Sequence, residues 1–522
     1  MSMLKIEIKN IIFFFMSLSL IFNMTPFDFG PISGLMHRQL LFFWFIIGLV
    51  YTCFIYKNEP CFFRYKKYLR IYLLIFAVCL IVSSFLGFVK FPYYSCVFTG
   101  ESSYVNKMVS AFSFLGISID STDSKVLYMI LRQVKIIFSD VLYAFGFSYI
   151  IFCWYKDDWY LGYKVFLYGV IASSILVGVY SSVEILFLAG NNDAKNILVN
   201  INPYIHTINN VTPVLWFNQL RSVFKEPSNF GNYIAYSLPM LWYLYYKGKN
   251  IKLSILTILY ITYFTVLVFL TRARTANAIF YFMVILLVFG TLFYFRDLNS
   301  FKKVGVVILA SLIAFSLAVS FVDEHMSASR FNTLKTQISK TQISNDTNTI
   351  ESTSVSERYI EDNLLSLTSA NKRSNIPRYA YLTSSFQVGL DNFWFGTGRG
   401  LQTMYVLDKM TQSERDFHEI KRIENSIKKY GIFAANIDAM NEYVSRFCQT
   451  GFIGLIIFLL PFIYVIHQLL KLINIRDEYA YEYSFILLML LSAMVAGMNG
   501  SVFLNYSLWL ILGIAYAAIK SV

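Results

Sequence analysis

Thr271-Arg272-Ala273-Arg274-Thr275 joins two almost wholly apolar runs, Leu253–Leu270 and Ala276–Phe295. Each run is long enough, as a helix, to cross a bilayer, which takes about 17–25 residues. Joined so tightly, the two form a hairpin that sends the chain straight back through the membrane it has just crossed. The hairpin carries two arginines, and an arginine at mid-bilayer costs about 2.5–3.5 kcal/mol on insertion scales. Near an interface the side chain snorkels and the cost falls. So short a turn leaves little escape into water. The pair therefore either anchors a helix end on lipid headgroups or serves an anionic ligand over a cavity. Arg274 lies closer to the start of the following helix and is the preferred member; Arg272 stands beside it.

Working outward, the same apolar pattern recurs at 8–24, 39–56, 71–89, 136–154, 165–189 and 230–246, and after the hairpin at 304–322, 451–470, 484–498 and 506–519. Counted with the hairpin runs this gives about twelve spans, an all-α, polytopic membrane helical bundle. Only 14% of residues are charged, against about a quarter in a soluble domain. A net charge of +13 would point to nucleic acid in a soluble protein. Here the lysines and arginines gather in short loops, as the positive-inside rule requires, so no nucleic-acid partner is implied. With the N-terminus inside, Lys5, Lys9, 57–70, Lys156, Lys247, Lys249, Lys252, 296–303, Lys471, Arg476 and Lys520 become cytoplasmic, and an even number of spans returns the C-terminus to the same side. Residues 1–322 then hold spans 1–9 with outer loops at 90–125 and 190–229, residues 323–448 form a large outer loop, and residues 449–522 hold spans 10–12. The first run lacks a small-residue cleavage site and reads as a retained helix.

The large loop opens on a Ser/Thr/Asn-rich stretch in which Thr336-Gln337-Ile338-Ser339 is repeated at 341–344, a composition expected to be mobile. Its 413–429 segment is charged at helical spacing and predicts a surface helix over the bilayer. The cysteines show no C-x-x-C and no Cys/His ligand spacing, which argues against structural zinc. Cys96 and Cys448, on the outer side, could form a disulfide. His37, His206, His325, His418 and His467 form neither a nucleophile–base pattern nor a metal pair. No metal site and no cofactor is expected.

Two further constellations carry chemistry. In Arg221-Ser222-Val223-Phe224-Lys225-Glu226-Pro227-Ser228-Asn229, a turn enters a span, and Ser228 or Asn229 can cap a helix whose N-terminal amides favour an anion. Arg221 and Lys225 add positive charge there. The plain alternative is a capped helix with an Arg221–Glu226 surface ion pair. In Asp391-Asn392-Phe393-Trp394-Phe395-Gly396-Thr397-Gly398-Arg399-Gly400, glycines beside aromatics suit a tight bend or a sugar stacked on Trp394. As a phosphate loop, Gly396-x-Gly398 alone is weak. Arg378, upstream, could share its face.

Taken together, these motifs resemble the O-antigen polymerase (Wzy) and O-antigen ligase superfamily of bacterial envelope enzymes. Arg221 to Pro227 matches an arginine-led motif before a helix, Arg274 an arginine in a short periplasmic hairpin, and Gly396-Thr397-Gly398 a G-x-G element of a late periplasmic loop. Gly451-Phe452-Ile453-Gly454 matches the Gly-x-x-Gly at re-entry into the membrane. Ligases carry a His-Asn/Ser pair just before that re-entry. Here Ala439-Met440-Asn441-Glu442 has methionine in the histidine's place, which favours a polymerase and leaves the general base unassigned, Glu226 and Glu442 being the available carboxylates.

The resemblance implies a GT-C-like bundle in the bacterial inner membrane. It would transfer a polyprenyl-pyrophosphate-linked glycan onto a lipid-linked repeat unit, beside a chain-length regulator and a flippase. It also implies metal-independent catalysis by Arg221, Arg274 and Glu226, with Arg272, Lys225, Arg378, Trp394, Gly396, Gly398, Arg399, Asn441 and Glu442 on the substrates. The rival readings are a ligase acting on a lipid A core and a flippase or other transporter. A transporter would bury many charges in its spans; Arg132, Lys135, Asp140 and Glu184 are the main exceptions here, near run edges.

Overall fold

The computed structural model describes residues 7–22, 39–55, 67–97, 103–114, 116, 120–205, 219–326, 375–500 and 505–520. Among them the chain is helical, with no strand. The chain begins with α1 (Ile8–Leu18), α2 (Leu40–Ile55), α3 (Lys67–Val89) and the short α4 (Ser103–Phe114). A long rod follows, α5 (Ser121–Val141) and α6 (Phe147–Tyr155), continuous through a π turn at Leu142–Gly146. Next come α7 (Trp159–Leu188), α8 (Asn192–Ile205), α9 (Pro227–Lys247), α10 (Ile251–Leu270), α11 (Arg274–Gly290) and α12 (Leu298–Phe321). After residue 374 come α13 (Ile376–Asp391), α14 (Thr403–Lys409), α15 (Gln412–Arg415) and α16 (His418–Tyr430), and α17 (Glu442–Ile475), α18 (Ala480–Ala496) and α19 (Tyr506–Lys520) complete the bundle.

Among the described residues seven helical stretches are long and apolar enough to cross a membrane, and three shorter apolar helices accompany them. The hairpin runs fall on α10 and α11. Helix starts are fixed by short polar side chains taking up orphan amides. Asp120 accepts from Asp123 N–H (2.6 Å), Asp158 from Leu161 (3.0 Å), Asn250 from Lys252 (2.9 Å) and Asp297 from Ser300 (2.8 Å).

One apolar core runs through the bundle, with Phe13, Phe147, Phe166, Trp242 and Phe264 fully buried. A second, smaller core is built mainly by α13 to α16 and gathers Tyr381, Val388, Val406, Ile420, Ile427 and Cys448. That core corrects one expectation. The charged 413–429 stretch is two helices, broken where Phe417 turns extended, and α16 buries Ile420 and Ile427 in the second core. Cys96 and Cys448 are free thiols rather than a disulfide. The duplication at 336–344, His37, His206 and Cys61 lie outside the described residues.

Candidate functional site

The α10–α11 hairpin is held by its own threonine. Thr271 Oγ donates to Val268 O (2.7 Å) and accepts from Ala273 N–H (3.1 Å), while Arg272 takes the left-handed conformation (φ 49°) that turns the chain. The segment before α9 hooks onto this turn, Leu220 N–H donating to Leu270 O at 3.0 Å. Two turns on, Gly231 packs so close that a Cβ there would lie 3.1 Å from Ala276 Cα. The two arginine-bearing turns, 221–226 and 271–275, are therefore neighbours.

Between them stands Glu184, buried near the end of α7. Its carboxylate accepts from Arg221 N–H (3.0 Å) and Ser222 N–H (2.7 Å), holding a left-handed turn at Ser222 (φ 58°). Ser181 Oγ donates to Ser222 Oγ at 2.8 Å. The Arg221 side chain is buried at 2% exposure beside the Tyr180 hydroxyl and the Glu184 charge, and none of its three guanidinium nitrogens makes a hydrogen bond of good geometry among the described residues. Burying an ionised group without such bonds is costly. With Tyr180 and the Glu184 charge beside it, the guanidinium keeps donors that an anion could take.

Arg274 Nη1 donates to Asn375 Oδ1 at 2.5 Å, where α13 begins, and Arg378 in the first turn of α13 adds like charge beside it. Arg221, Arg272, Arg274 and Arg378 thus come from three segments that converge. Lys225 is half-buried and Glu226 exposed. Glu226 is the extended N-cap of α9 with Pro227 in the first turn; its carbonyl accepts from Asn229 N–H (3.0 Å), and its carboxylate accepts a long 3.5 Å bond from Ser228 Oγ. Neither the Ser228 nor the Asn229 cap forms, and Arg221 points to no surface ion pair, because the Glu184 anchor draws it inside.

The glycine loop 396–400 is a backbone clasp. α17 is kinked at Gly451 (φ 69°), where a Cβ would lie 2.3 Å from the Trp394 carbonyl; at Gly396 (φ 68°) one would lie 2.5 Å from Gln449 O. Only glycine permits both the left-handed backbone and the contact. Thr397 N–H and Gly398 N–H donate to Cys448 O and Gln449 O, both at 3.0 Å, and Phe452 N–H donates to Phe393 O at 2.7 Å. Ser83 Oγ on α3 ties Phe395 O (2.7 Å) and Gln449 O (2.9 Å) together. The loop's amides are thus taken by protein carbonyls. Trp394 stays 61% exposed, its indole open to a ligand.

Beneath the clasp lies a charged network that sequence reasoning did not assemble. Asp140 on α5 accepts from Arg399 Nε (2.8 Å) and Arg446 Nη1 (3.0 Å), and Arg446 Nε donates to Glu442 Oε1 (2.5 Å). Arg399 also donates to the Gln449 side-chain oxygen. Burial alone would lower the Arg399 pKa, but the Asp140 charge overrides it and raises it. Asn441 caps α17, accepting from Tyr443 N–H (3.0 Å) and Val444 N–H (3.2 Å). Asp438, in the loop just before, accepts from Ser445 Oγ. Burial pushes its carboxyl above the usual range and Glu442 adds to that, while Ser445, Arg399 and Arg446 pull the other way. Two carboxylates, Asp140 and Glu442, share the two arginines, and Asp438 forms an ion pair with neither.

Two residues escaped the sequence reading in particular. Asp438 had no local signal. Arg446 had one, its i,i+4 spacing from Glu442. Among the described residues no group of three or more His, Cys, Asp or Glu is placed to hold a metal ion.

Residues 258–459 match a family model described as O-antigen ligase. The match contains the hairpin, Arg378, the glycine clasp, Asp438 and Arg446, and leaves out Arg221 and Asp140. No curated protein matches the chain.

Proposed function

We propose that this chain, whose residues 258–459 carry an O-antigen ligase domain within the O-antigen polymerase and ligase superfamily, is a surface-polysaccharide polymerase. The domain marks it broadly as a glycosyltransferase-like membrane enzyme acting on lipid-linked polysaccharide. In this reading it moves a polyprenyl-pyrophosphate-linked glycan onto a lipid-linked repeat unit on the periplasmic side of the inner membrane, without a metal.

The observation that carries the reading is the buried Arg221 guanidinium, with donors that an anion could take, beside the arginine hairpin. A lipid diphosphate is the anion that reaches such a depth. Guanidinium groups form charge-assisted, often bidentate bonds to phosphate oxygens. The acceptor hydroxyl attacks the anomeric carbon, a new C–O bond forms, and the bond from that carbon to the diphosphate oxygen breaks with its electron pair. Arg221 and Arg274 neutralise the charge developing on that oxygen, with Arg272 and Arg378 on the outer phosphate. The hydroxyl proton goes to Asp438, whose raised pKa suits a base better than Glu442, held by Arg446, or the solvent-facing Glu226. Trp394 offers a sugar platform, and Arg399, Gly396, Gly398 and Asn441 hold the loop in shape. Met440, where ligases have histidine, supports polymerase over ligase.

Purified protein given lipid-linked repeat units makes a ladder with or without chelator. Arg221→Ala and Arg274→Ala each lower turnover by roughly 10²–10³. Full activity in both removes the site; a divalent-metal requirement removes the mechanism. In a deletion strain, a single capped repeat marks a polymerase and loss of all capping a ligase.

A further inference from the structure

At the end of α11 opposite Arg274 lies a cavity of about 480 Å³, within the roughly 300–1,000 Å³ of small-ligand sites. Its wall is apolar, built by Leu286, Phe289, Phe293, Leu470 and Leu488, with Tyr246 and Tyr481 at its side. The helix continuing from α11 loosens there into a π turn, Thr291–Phe295, whose residues line the opening. Such turns collect at functional sites.

Cations are tied to the cavity's wall at Tyr246 and Tyr294 and to the π turn beside it at Leu292. Arg476 Nη2 donates to Tyr294 O (2.7 Å), Lys303 Nζ to Tyr246 O (2.6 Å) and Arg296 Nε to Leu292 O (3.2 Å). Carbonyl acceptors fix these side chains without cancelling their charge, and none of the three forms an ion pair among the described residues. Of the nearby carboxylates, Glu482 is neutralised by Lys247, while Asp297 and Asp477 are held by neutral donors and the Asp297 charge acts on Lys303. Glu482 pairs with Lys247 (3.0 Å) and accepts from Tyr243 (2.7 Å), Asp297 caps α12 through Ser300, and Asp477 accepts from Tyr479 N–H (2.9 Å).

We propose that this cavity binds an anionic phospholipid, one acyl chain against the apolar wall and the phosphate on Arg296, Lys303 and Arg476. Apolar lining excludes a polar ligand, and cations at the rim that form no direct ion pair among the described residues select a negative headgroup over a zwitterion. The stretch from Arg274 to Phe295 has 22 residues, about 33 Å of helix, so the site is a membrane thickness away from the arginine hairpin. It stands whether or not the polymerase reading does.

The test uses the full-length protein in nanodiscs of phosphatidylcholine and phosphatidylglycerol, followed by native mass spectrometry of retained lipid. Phosphatidylglycerol is retained in preference, and the Arg296→Gln/Arg476→Gln pair retains it at least roughly tenfold less. Gly290→Phe loses it as well: a Cβ at Gly290 meets nothing within 4 Å, so the ring enters open space rather than the core. Equal retention of both lipids by the wild type, unchanged retention in both variants, or a polyprenyl chain in the cavity would overturn the proposal. Thermal midpoints of the variants separate lost lipid from lost fold.

Discussion

Arg221 and Asp438 are opposite problems in burial. Arg221 is a buried cation whose donors make no well-formed hydrogen bond among the described residues, and Asp438 is a half-buried acid whose neighbours only partly compensate it. For Arg221, lysine keeps the charge but loses the planar fork, so Arg221→Lys recovers only a small part of the turnover lost in Arg221→Ala. Equal activity of lysine and arginine would show that charge alone matters there. For Asp438, the raised folded pKa sets both signs. As a base it works only when ionised, so the acid limb of the turnover profile lies above that of an ordinary carboxylate, and Asp438→Asn removes activity along with that limb. For stability, a carboxyl whose folded pKa is raised contributes below its unfolded pKa and loses that contribution as pH rises through the folded value. Asp438→Asn therefore melts no lower than wild type near neutral pH. An acid limb unchanged in a variant that retains turnover would exclude Asp438 as the base.

Among the elements, the glycine clasp and the kink of α17 form one device, because the backbone at 449–450 fills the space a side chain at Gly396 would need and the backbone at 394–395 fills that of Gly451. Gly451→Ala forces a left-handed alanine against the Trp394 carbonyl and destabilises by at least about 1–3 kcal/mol, read as a lowered thermal midpoint in detergent. The Asp140 network beneath is a buried group of ions in which loss of one partner strands the others. Asp140→Asn costs about 3–5 kcal/mol, whereas the double variant Asp140→Asn/Arg399→Gln loses less than the sum of its parts. Strict additivity would mean that the network is not formed. The sequence placed Arg399 on the donor; the structure commits it to Asp140 and Gln449, so its effect on turnover passes through the clasp.

For the whole molecule, legibility followed the distance over which information is carried. The bundle could be read because an apolar run is a local property, and the hairpin because its arginines interrupt two such runs within a few residues. The inner network could not be read. Asp140, Arg399 and Arg446 come from three distant segments, and only the Glu442–Arg446 spacing was local. Glu184 looked like a stray charge near a run edge until the fold brought the Arg221 and Ser222 amides to its carboxylate. The central claim is that the outer arginines hold a diphosphate, and the most direct measurement is equilibrium binding of polyprenyl diphosphate and polyprenyl monophosphate to the purified protein. The account predicts that wild type prefers the diphosphate, and that Arg221→Ala and Arg274→Ala each weaken it by at least roughly tenfold while barely changing the monophosphate. Equal affinity for the two lipids, or a diphosphate affinity unchanged in both variants, would contradict it.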